Sequence, residues 1–164
     1  MTRPSRALVR AFGADTLEKV GVSDLPYLRP MEYETAWRAL VSDLGGREAV
    51  VGRSVEGRPL WRFDVGSRDP GALTILLTGL VHGVEVVGSA ALFDLLARFR
   101  TPTPIAPSPA LRERARLVIM PVVNPDAFAL NMDRLARGKA AWKRTNARGV
   151  DLNRNFPQVA DEPV

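Results

Sequence analysis

His82 is the only histidine in the 164-residue chain, and Glu85 stands three residues after it. A His-x-x-Glu spacing puts an imidazole and a carboxylate on one side of a turn, where both reach a metal ion about 2.0–2.2 Å from each donor atom. Zinc is the ion that pairing best suits. The same residues also have plainer readings. A histidine beside glycine is often an ordinary loop or core residue, and Glu85 in a first helical turn would complement the helix dipole. A second polar pair, Asn153-Arg154, lies between apolar Leu152 and Phe156, which are expected to anchor it; Arg154 is also one of twenty arginines.

The elements around these residues follow from periodicity. The apolar run Leu73 to Leu77 predicts a strand buried on both faces, and Gly79 and Gly83 bracket the turn that delivers His82 and Glu85. A helix is expected from about Glu85 to Arg100, apolar around most of its circumference. Thr101 to Pro109 reads as a proline-punctuated loop, and Ala115 to Val123 as an inner strand. Strand, helix, strand implies a right-handed crossover and a parallel pair, with ligands outside the carboxyl ends of the strands. His82 follows one such end and Asn124-Pro125-Asp126 the other, so both motifs are expected on one rim.

Upstream, Trp37, Leu40, Val41 and Leu44 recur at helical spacing before Gly45-Gly46. Val50 to Val55 and Leu60 to Val65 form a hairpin across Glu56-Gly57-Arg58-Pro59, the second strand alternating wet and dry as if near a sheet edge. Past Ala127 the chain reads as loop-rich, with a short helix around Met132 to Arg137. Residues 1–30 are a lead-in segment and 31–164 one domain, because no linker or internal repeat divides the rest.

Composition narrows the class. Hydrophobic residues make up 46% of the chain, enough for a packed core. With no cysteine, disulfides, thiolate ligands and thiol nucleophiles are excluded. The net charge of +5 comes from scattered arginines interleaved with acids, which argues against a nucleic-acid partner. The N-terminus lacks the apolar core of a signal peptide, and no run is long enough to span a bilayer, so no membrane partner and a cytoplasmic location are expected.

Four separated segments then coincide, in order, with one family. The chain resembles the zinc carboxypeptidases of the funnelin type, the carboxypeptidase A-like metallocarboxypeptidases of peptidase family M14. The matching segments are Gly52-Arg53-Ser54-Val55-Glu56-Gly57-Arg58, Gly79 to Glu85, Pro121 to Asp126, and Arg148 to Pro157. The resemblance covers the N-terminal half of that family's catalytic domain. It implies an α/β fold with a mixed, largely parallel sheet flanked by helices, a truncated α/β/α sandwich.

By motif, His82 and Glu85 resemble two of the family's three zinc ligands. Arg154, with Asn153 beside it, is similar to the clamp on a peptide's free C-terminal carboxylate, a task for which a guanidinium fork is suited. Lys143 holds the position after Trp142 where the family carries an arginine that polarises the scissile carbonyl. The complete family reaction is zinc-dependent removal of a C-terminal residue from a peptide. The family's third ligand is a later histidine, and its base glutamate and covering tyrosine also lie beyond residue 164, so very low hydrolysis is expected from these residues alone. Neither Asp151 nor Asp161 is assigned as a replacement ligand. Two alternatives share the motifs: a non-catalytic relative that binds peptide C-termini, and a zinc amidohydrolase of the desuccinylase and deacylase type. Uncovered strand edges would bring self-association.

Overall fold

A computed structural model describes residues 29–99, 109–139 and 141–156. The first element is α1 (Pro30–Asp43), whose Glu32 side chain accepts from the Arg29 N–H to close its N-terminus. The expected stripe is present and buried: Trp37, Leu40, Val41 and Leu44, joined by Tyr33 and Ala36. Trp37 stacks on Phe63 with ring centroids 6.0 Å apart and meets Phe93 edge-on at 5.3 Å.

The sheet contains β1 (Arg47–Arg53), β2 (Pro59–Gly66), β3 (Leu73–Thr78) and β4 (Ala115–Met120), in the spatial order β1-β2-β4-β3. It is mixed, as expected. The β3–β4 pair is parallel and the other two pairings are antiparallel, so parallel pairs are the minority among described residues. Two more helices frame it, α2 (Val86–Ala97) and α4 (Pro125–Ala136), with a six-residue helix α3 (Pro109–Arg114) leading into β4.

Register assigns the two faces. Phe63 lies opposite Ile119, Val65 opposite Leu117, and Ile75 and Leu77 opposite the same two β4 residues, so one face carries the core beneath α1 and α2. The other face holds the Arg62–Asp64 ion pair, Arg116 and Leu76. This placement changes two expectations. β2 is interior, flanked by β1 and β4, and its wet alternation comes from the ion-paired face instead of an edge position. β3, expected to be buried on both faces, is an edge strand among the described residues, with Leu73 and Leu76 more than 60% exposed. An apolar run reads alike in both settings, since periodicity reports no neighbours.

Two further boundaries differ. α4 begins at Pro125, well before Met132, because Asn124 caps it by accepting from the Ala127 N–H and proline favours the first helical position. The lead-in, apart from its last two residues, and most of the Thr101–Pro109 loop lie outside the described residues. None of the described helices is long and apolar enough to cross a membrane.

Candidate metal centre

The carboxyl ends of β3 and β4 remain zipped together past the strands. Gly79 N–H donates to the Met120 carbonyl, Val123 N–H to that of Gly79, and Asn124 N–H to that of Leu80. Both motifs therefore lie on one rim, as the topology requires. Two glycines permit this proximity. A Cβ on Gly79 would meet Ser89 Cβ at 2.8 Å and the Pro121 carbonyl oxygen at 2.9 Å, while one on Gly83 would meet Ala127 Cβ at 2.4 Å. Between them buried Leu80 adopts φ +49°, an uncommon left-handed conformation for a side-chain-bearing residue, which helps turn the chain toward His82.

His82 is buried, and its ring lies between two carboxylates. Nδ1 is 2.8 Å from Glu85 Oε1, and Nε2 is 3.0 Å from Asp151 Oδ1. Asp151 Oδ2 also accepts from Arg144 Nε at 3.1 Å, and Oδ1 from the Asn153 N–H. The hydrogen bond with His82, together with those from Arg144 and Asn153, outweighs desolvation and holds the Asp151 carboxyl down at about 2. An ionised carboxylate at Nε2 favours the tautomer with the proton on that nitrogen. Nδ1, on the opposite side of the ring, lies within hydrogen-bond distance of Glu85.

An imidazole nitrogen and a carboxylate oxygen are donor types that zinc takes. A carboxylate orienting the far nitrogen of a ligand histidine is the usual support for such a site. His82 Nδ1 and Glu85 are the side chains that would hold the ion. Glu85 occupies the N-cap position of α2 but makes no side-chain capping bond, so its carboxylate is not engaged in closing the helix. Among the described residues no group of three such donors converges on one point.

Asp151 also begins the 3-10 turn Leu152–Arg154, so the residue that orients His82 starts the turn that carries Asn153 and Arg154. Both are exposed, and so is Phe156, at 69%, so it does not anchor them as expected; one Arg154 Nη donates to the Asn153 carbonyl. Lys143 enters through its backbone, which pairs with the Asn131 side chain; the cation beside Asp151 belongs to the next residue, Arg144. Sequence reasoning did not pick out Arg144 or the orienting role of Asp151. His82 and Asp151 are 69 positions apart, and no spacing rule would have paired them.

The two remaining motifs form one contact. Asp126 is buried and accepts from Ser54 Oγ at 2.6 Å, Arg58 Nη1 at 2.7 Å and the Glu56 N–H at 3.2 Å. Arg58 also pairs with Glu56. The turn between β1 and β2 is thereby fastened to the first turn of α4.

The α/β sheet thus presents an imidazole, a carboxylate and an arginine-bearing turn on one rim. The chain belongs to the zinc carboxypeptidase family, whose sequence model matches residues 42–163. Carboxypeptidase D of Drosophila melanogaster is 34% identical over 115 residues, covering 65% of this chain and 8% of that protein. Carboxypeptidase SOL1 of Arabidopsis thaliana is 36% identical over 114 residues, covering 65% and 20% respectively. A metallo-carboxypeptidase structure from Burkholderia cenocepacia superposes with a TM-score of 0.59 at 26% identity, over 75% of this chain and 31% of that one. The chain thus spans a third or less of the length of each of these three proteins.

Proposed function

We propose that this chain carries the ledge on which a metallocarboxypeptidase recognises the end of a peptide: two zinc ligands, His82 and Glu85, and a carboxylate clamp, Arg154 with Asn153. The observation that carries this reading is Asp151, whose side chain bonds His82 while its backbone starts the turn bearing Arg154. Zinc, when bound, would supply Lewis-acid polarisation of the scissile carbonyl. The protein's own groups do the rest. Asp151 fixes the ring orientation of His82, and Arg154 distinguishes a chain end from an internal peptide bond by paired charge-assisted bonds. Arg144, held at Asp151, is better placed than Lys143 to offer a cation near the reacting carbonyl. Hydrolysis by these residues alone is low, since among the described residues one imidazole and one carboxylate face the metal position.

Peptide binding tests the clamp. A short peptide with a free C-terminal carboxylate should bind measurably by calorimetry, and its C-terminal amide at least about tenfold more weakly, as loss of a charged pair implies. Arg154→Ala should abolish the difference. Equal binding of acid and amide by the unaltered chain would overturn this reading.

The edge of β3, unpaired among the described residues, and the face beside it support self-association. Leu73–Thr78 contains no charged residue, Leu76 is 62% exposed, and Val87 on α2 is 76% exposed. An uncharged strand edge is a template for pairing with another copy. Sedimentation should show concentration-dependent mass that Leu76→Lys shifts toward monomer. A monomer at every concentration would exclude it.

A further inference from the structure

Asn131 is fully buried on α4, seven residues after the capping Asn124. Seven residues are two helical turns, so both asparagines lie on one stripe, with Ala127 and Phe128 between them and equally buried. An apolar side chain is the ordinary occupant of such a position, and a buried amide is costly unless its bonds are made. Those of Asn131 are made to a single residue. Its Nδ2 donates to the Lys143 carbonyl at 2.9 Å, and its Oδ1 accepts from the Lys143 N–H at 2.7 Å. Holding both polar groups of one residue fixes that segment's height along α4 and its rotation. Asn124 Nδ2 lies 3.3 Å from the next carbonyl, that of Arg144, and 3.4 Å from that of Val81, just before His82. The stripe therefore ties the Arg144 segment to the turn that carries the metal ligand.

We propose that Asn131 is a positioning residue for the metal centre: by clamping the Lys143 backbone it sets the register in which the Arg144 guanidinium reaches Asp151. The consequences run outward from the helix. A slip of one residue would present Lys143, a point charge without a planar fork, where Arg144 now engages Asp151 Oδ2. With Oδ2 held by Arg144, Oδ1 stays on His82. The bonds within the loop, centred on Asn146, shape its far side; the register of Lys143 and Arg144 is held from α4. This inference rests on the reading of His82 as a metal ligand only for its functional meaning; the clamp and its effect on Arg144 belong to the metal-free protein.

Guanidinium Nε–H exchange, measured by nitrogen-15 NMR on the full chain without metal, tests it. Arg38, Arg62 and Arg98 each donate Nε–H to a carboxylate elsewhere, to Glu48, Asp64 and Asp94, and serve as internal references. Asn131→Ala is expected to speed exchange at Arg144 about tenfold, leaving the three references within about twofold. Asn131→Asp keeps the acceptor and the volume but loses the donor, so an intermediate acceleration is expected, and it serves as the readout should the alanine variant not fold. Unchanged exchange at Arg144 in the folded variant would overturn the proposal. So would equal acceleration at all four arginines, which would make Asn131 a residue of general stability. Because no metal is added, failure here is distinct from failure of the chain to bind zinc.

Discussion

Gly83→Ala should lower the unfolding free energy by about 3 kcal/mol and remove metal binding together with it. The added methyl would lie 2.4 Å from Ala127 Cβ, 2.5 Å from the Ala127 carbonyl carbon and 2.6 Å from the Phe128 nitrogen. Two of those three atoms are helix backbone, so no rotamer change relieves the clash. Either α4 retreats, or the turn that holds His82 and Glu85 lifts off it. A control lies five residues away. Gly88, on α2, has nothing within 4 Å of its prospective Cβ, and Gly88→Ala should stabilise by about 0.5–1 kcal/mol through helix propensity. Urea unfolding of the two variants separates close approach from conformational freedom. Similar effects of the same sign would contradict the packing described for Gly83.

Asp126→Ala should cost about 1–2 kcal/mol, because it removes a buried carboxylate that accepts from Ser54, Glu56 and Arg58, while half-exposed Arg58 keeps its pair with Glu56. Its pH dependence carries a sign. Burial pushes the Asp126 carboxyl up, but the bonds from Ser54, Arg58 and the Glu56 N–H outweigh it and leave the group below its ordinary 3.8. A depressed carboxyl contributes stability above its ordinary value and loses it as pH falls through the lowered one. The gap between wild type and Asp126→Ala should therefore be widest near neutrality and narrow in acid, as followed by denaturation across pH. A gap that widened below pH 4 would mean that the carboxylate is not the stabilising form.

The Ser54–Asp126 contact also shows what the sequence carried. The Gly-Arg-Ser-x-Glu-Gly-Arg and Asn-Pro-Asp segments were both legible as motifs, yet nothing in either says that they meet, since 72 residues separate Ser54 from Asp126. The helical stripe of α1 was legible in full because 3.6-residue periodicity is a property of the segment itself. The edge position of β3 was not, because it depends on which strands lie beside it. The start of α4 was missed although Asn124-Pro125 is a sound helix entry, since those residues were read as part of a rim motif. At the site, His82 and Glu85 were legible from local spacing. The offset from Lys143 to Arg144 was not, because it is set by a buried asparagine twelve residues upstream of Lys143.

The most direct test of the central claim follows from the single imidazole. In nitrogen-15 NMR, one histidine gives one pair of ring resonances, so a zinc titration of the unaltered chain reads His82 alone. The Nδ1 resonance is expected to move on zinc binding while Nε2 keeps its proton, directed at Asp151, and Glu85→Gln should weaken that binding about tenfold or more. Ring resonances that stay put at saturating zinc, or zinc affinity unchanged in His82→Ala, would contradict the assignment of this rim as a metal centre.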